Sequence, residues 1–173
     1  MSKSVEEISV RRVRYSTDLP VHEVLRRLDA AVNRKKGEGR ITNIIRSSRT
    51  PRELELRLKE VTGENFGFFL ETQHSNWLRM YLESSNIPEL RVYTIGNPLI
   101  AQGIMRHEPL AGMYVPLRLM IMGKSADPNR GTIVVYDLPS SLIAGHDRGA
   151  LRHAAEGLDR MLEELAQKIT GAA

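Results

Sequence analysis

The chain has 173 residues, 41% of them apolar and 27% charged, with a formal net charge of +4 and no cysteine. That length fits one domain with a substantial core, and the missing cysteine excludes disulfides and thiolate metal sites. No apolar run approaches the roughly 18 residues of a membrane helix, and MSKSVEEISV at the N-terminus is too polar for a signal peptide, so a cytoplasmic protein is expected.

The charge is uneven. Residues 1–62 hold 15 Lys/Arg against 9 Asp/Glu, and residues 63–173 hold 10 against 12. A basic N-terminal third suits a polyanion, which keeps nucleic-acid binding open. Acids interleaved with the bases, as in RELELRLKE, suit a solvated helix face better.

In chain order, EISVRRVRYST predicts a strand whose alternation slips at the double arginine. Asp18 is placed to cap a helix with Pro20 in its first turn, and Val21, Val24, Leu25, Leu28 and Val32 form its apolar stripe. KKGEGR stops that helix. ITNIIRSS reads as a short strand. Thr50-Pro51-Arg52-Glu53 is a capping box opening a helix that ends at Gly63. NFGFFLET then reads as a mostly buried strand, SNWLRMYLESS as a short helix or an irregular segment, and ELRVYTIG as another strand.

Asn97 and Pro98 have the side chains of a helix cap and first helical residue, and Gly96 lets the chain turn off the strand. Gly103 inside that helix suggests a close approach. VPLRLMIM and TIVVYDL predict a hairpin. A long helix from Leu151 to Ile169 closes the chain and stops at Gly171. The order predicts a single α+β domain over residues 1–173, with helices packed on a largely antiparallel sheet.

Three places carry candidate chemistry. The Gly96-Asn97-Pro98-Leu99 helix start offers backbone N–H groups and a positive dipole end to an anion or a polar ligand, or is only a helix start. Arg106 and His107 lie about 15 Å from it along the helix, too far for one small ligand to bridge, and read as mainly structural. Glu71, His74 and Trp77 follow a buried strand: the histidine is either a ligand or acid–base group, or a local hydrogen-bonding partner beside an anchoring tryptophan. Asp137 lies on the strand face shared by Ile133 and Val135, where its carboxylate either caps the following turn or faces a pocket. His146 and His153 are spaced like neighbours on a helix face, but the intervening glycine argues against a metal site, and no metal is expected. No nucleophile elbow, phosphate loop or zinc-protease helix occurs.

The run YTIGNPLIAQGIMRHEPLAGMYVPLRLMIM, with VVYDLPSSL and LRHAAEGLDRMLEEL, resembles the domain-of-unknown-function 302 family from about residue 64 to 169. GFFLETQHSNWL resembles a block found in one subset, in which glycine follows the histidine; this chain has Ser75. Residues 1–63 match only in their strand–helix opening, and ELELRLKEVTG resembles the subset's extra helix. The resemblance implies a TT1751-like α+β domain that forms a homodimer. It implies no activity and no cofactor. The resulting expectation is a small-ligand-binding or interaction module. One pocket would be walled by Asn97, the His74–Trp77 loop and Asp137. The rivals are an enzyme with His74 as general base oriented by Asp137, and a nucleic-acid binder.

Overall fold

The computed structural model describes residues 1–63, 65–145 and 147–172. Five strands form one antiparallel sheet in the order β1-β5-β4-β3-β2. They are β1 (Arg12–Thr17), β2 (Gly67–Gln73), β3 (Leu90–Gly96), β4 (Leu117–Gly123) and β5 (Thr132–Asp137). Helices α1 (Val21–Ala31) and α8 (Ala150–Thr170) bury their apolar stripes against one sheet face. Val24, Leu28, Leu162 and Ile169 meet Tyr93, Leu119, Ile121 and Val134 there, and alternate strand residues supply the sheet side of the core. The expected α+β architecture is therefore present, as is the β4–β5 hairpin.

Several local expectations change. β1 starts at Arg12, and Ile8 and Val10 lie exposed before it. Asp18 caps nothing: Pro20 is the N-cap of α1, and Asp18 instead accepts from Lys124 Nζ at 2.9 Å. Beyond α1, the basic run forms a short helical turn, α2 (Arg34–Gly37), rather than only a stop. Gly37 is needed there for contact, because a Cβ would sit 2.7 Å from the Phe68 carbonyl oxygen.

ITNIIRSS is not a strand but part of α3 (Arg40–Ser47). Its isoleucines sit at helical spacing, and Ile41 and Ile44 join Leu58 and Val61 of α4 (Pro51–Thr62) in a second apolar cluster. Tertiary burial thus overrides the β-branched preference for strand. The α4 cap is as expected at its centre, with Glu53 N donating to Thr50 Oγ1 at 3.1 Å, but the Glu53 carboxylate reaches Arg49 N, one residue further back.

Two helices complete the frame around the candidate residues. α5 (His74–Tyr81) follows β2, and α6 (Pro98–Met105) follows β3. A short α7 (Pro139–Ile143) links β5 to the segment before α8. Its start is held by Asp159 of α8, which accepts from both Ser140 N and Ser140 Oγ.

Candidate functional site

The strand register separates the residues expected to share one pocket. Gly67 of β2 pairs with Gly96 of β3 at one end of the sheet, and Gln73 pairs with Arg91 at the other. At about 3.3 Å per residue, His74 therefore lies about 20 Å from the Asn97 turn. Asp137 lies towards the Asn97 end but two strands across and level with Thr94, which puts it about 14 Å from Asn97. A single pocket walled by Asn97, His74, Trp77 and Asp137 does not exist in this chain, and Asp137 cannot orient His74.

Each displaced group has its own partner. Trp77 Nε1 donates to His74 Nδ1 at 3.2 Å, and the indole is 48% exposed, so it anchors no loop from within. Asp137 takes two hydrogen bonds from the Arg12 guanidinium, the shorter 2.7 Å. Arg106 Nε donates to His107 Nε2 at the far end of α6. Gly103 meets no close approach, since a Cβ there would have nothing within 4 Å. His146 lies outside the described residues. Among those residues no cluster of metal-binding side chains occurs.

The Asn97 turn does border a cavity, though not a polar one. Asn97 is 6% exposed; its Oδ1 accepts from Leu99 N at 3.0 Å, and its Nδ2 donates to the Asn65 carbonyl at 2.9 Å. The Asn97 carbonyl takes Ile100 N and Ala101 N. The donors expected to attract an anion are thus used within the chain. What remains is an apolar space of about 340 Å³ between the sheet end, α3, α6 and α8.

Phe66, Phe69, Ala101, Val115 and Leu158 form its walls, together with Gly96, Asn97 and Pro98. Ile45, Met105 and Pro116 are the exposed lining residues and form the mouth. Leu99 points instead into the α3–α4 cluster. Gly96 keeps the floor thin: a Cβ would be 3.1 Å from Pro116 Cβ. Phe69 reaches the cavity because a bulge between Phe68 and Leu70 turns it away from Phe68, which stays in the main core. Phenylalanines on both sides of the strand-end Gly67 were the available sequence signal. The long-range walls, Ile45 and Leu158, had none.

The opposite end of the core face is a chain of charges. Glu71, with only 4% of its side chain exposed, accepts from Arg34 at 2.7 Å and Arg91 at 2.9 Å. Arg91 and Arg79 also bind Glu89. Tyr93 OH donates to Asp29 and accepts from Arg34, whose guanidinium stacks over Phe68. Burial alone would raise the Glu71 carboxyl, yet hydrogen bonds from Arg91 and Arg34 outweigh it and hold the group below its usual range. Arg12, Arg26, Arg27 and Arg57 are likewise in ion pairs, so part of the basic excess of the N-terminal third is answered within the fold.

The model of the family described as domain of unknown function DUF302 matches residues 44–169. The chain belongs to that family. The match starts earlier than residue 64 and takes in part of α3 and all of α4. A crystal structure of an uncharacterized conserved DUF302 protein from Bacillus stearothermophilus is similar at a TM-score of 0.63, over 91% of this chain and 97% of that one. At 14% identity the likeness shows the DUF302 fold alone. No curated protein matches the chain. Among the described residues, no helix is long and apolar enough to cross a membrane.

Proposed function

We propose that this DUF302 chain binds a small, neutral, apolar molecule in the cavity beside the Asn97 turn. The observation that carries the reading is the lining: Asn97 is its one polar side chain, and both ends of its amide are engaged within the protein. A volume of 340 Å³ falls in the range of small-molecule sites, roughly 300–1,000 Å³. Apolar walls favour a ligand that gives up little hydration on entry, and penalise a charge that would arrive without a partner. This reading keeps Gly96, Asn97 and Pro98 from the expected site and leaves out Leu99, His74, Trp77 and Asp137. It also replaces the polar or anionic ligand with an apolar one.

Calorimetric titration with indole and with benzoate separates the two ligand classes. Uptake of indole with little or none of benzoate supports the proposal. Tighter binding of benzoate would return the site to anion recognition. The enzyme reading with His74 as base has lost its geometric support, because the imidazole and Asp137 sit at opposite sheet ends.

A further inference from the structure

The corner built by α2, α3 and the start of α4 carries charge that the fold does not answer. From Arg34 to Arg52 the chain holds seven Lys/Arg and one acid, Glu38. Arg34 is spent on Asp29 and Glu71. Lys35, Lys36, Arg40, Arg46, Arg49 and Arg52 are all exposed, and among the described residues none of their side chains has an ion-pair partner. Beyond Arg52 the charge is mixed, with Glu55, Lys59 and Glu60 on the exposed side of α4.

The same corner borders the cavity mouth. The buried stripe of α3 is Ile41 and Ile44. At about 100° per residue, Arg46 points about 170° from the middle of that stripe, and Ile45 about 70°. Ile45 therefore stands at the edge of the stripe, where it lines the mouth with Met105 and Pro116 and is 46% exposed. Exposed aliphatic side chains are thus set among unanswered cations.

We propose that this corner docks on an anionic lipid surface, with the cations against the headgroups, Ile45 and Met105 reaching below them, and the cavity mouth facing the bilayer. Unpaired Lys/Arg beside exposed apolar side chains are the two attractions an interfacial contact combines. A nucleic acid would use the cations but gain nothing from Ile45 and Met105, and the Arg34–Arg52 stretch has no aromatic residue for base stacking. The other exposed apolar patch, Trp77, Met80 and Tyr81 on α5, lacks the charge complement, since its own cation, Arg79, is engaged by Glu89 and the Ile87 carbonyl. The contact is spread over many headgroups, so no single lipid stays bound off the membrane. Resting on the cavity reading above, the docking also supplies a route: an apolar molecule dissolved in the bilayer enters the mouth without crossing water.

Cosedimentation with vesicles tests this, using phosphatidylcholine alone and an equimolar mixture with phosphatidylglycerol. The wild-type chain is expected on the mixed vesicles only, and to leave them as sodium chloride is raised. Each cation near an anionic surface is worth about fivefold in affinity, so Arg40→Ala with Arg46→Ala should weaken binding about twentyfold. Ile45→Asp should weaken it about tenfold. Circular dichroism confirms that each variant is folded. Without lipid, the Arg40→Ala, Arg46→Ala chain should take up indole like the wild type, so docking and cavity fail separately. No binding to mixed vesicles at low salt, equal binding to phosphatidylcholine alone, indifference to either set of substitutions, or tighter binding to a DNA duplex than to mixed vesicles overturns the proposal.

Discussion

The two ends of the sheet's core face solve opposite problems. At the Gln73–Arg91 end, Glu71, Arg34, Arg91, Glu89 and Arg79 form a run of ion pairs in which buried charge is answered by neighbouring charge. At the Gly67–Gly96 end, charge is absent from the lining and space remains. A satisfied network fixes geometry and offers a ligand little to bind. An apolar space leaves contacts unmade, and a ligand can supply them. The comparison therefore puts a satisfied network at one end and the proposed binding space at the other, whereas residue types alone had grouped Asn97, His74, Trp77 and Asp137.

The largest effect should come from breaking the charged end. Glu71→Ala leaves Arg34 and Arg91 facing each other without their shared carboxylate, and should cost about 3 kcal/mol in urea unfolding. Its pH dependence sharpens the point. The Glu71 and Glu89 carboxyls lie below the ordinary glutamate range in the fold, so both favour folding at neutral pH. This contribution is lost as pH falls through the depressed folded values. Glu71→Gln should flatten the acid side of the stability profile.

At the cavity end, Leu158→Ala enlarges existing space and should cost about 2 kcal/mol, the low end for a buried leucine, because the site already has room on one side. Thr50→Ala, which removes the α4 cap remote from both ends, should cost about 1 kcal/mol and serves as a local reference. Ala101→Phe, which grows into the cavity, should change stability by less than about 1 kcal/mol, because the added ring fills space. Equal losses from Glu71→Ala and Thr50→Ala would dissolve the contrast between the two ends.

Elements with strong local punctuation were legible in the sequence. The Thr50 capping box, the Asn97-Pro98 helix start, the Gly63 and Gly171 stops and the β4–β5 hairpin all follow from short-range chemistry. The Ile41–Ile45 stretch was not, because β-branched residues at helical spacing satisfy both patterns and only packing against Leu58 decides. The site was half legible. Gly96, Asn97 and Pro98 announce a turn at a strand end, but strand order decides which other residues join it. His74 and Asp137 looked equally near until the β1-β5-β4-β3-β2 order and the register put them at opposite ends. The free donors expected at the helix start are absent for a related reason. A helix start exposes donors only if its cap and its own carbonyls leave them unused, and here Asn97 engages them.

Native mass spectrometry of freshly purified wild-type protein beside Ala101→Phe tests the central claim most directly. A neutral, apolar adduct carried by the wild type and missing from the folded variant is the predicted result. Bare protein in both samples, or an anionic adduct that survives Ala101→Phe, would contradict it.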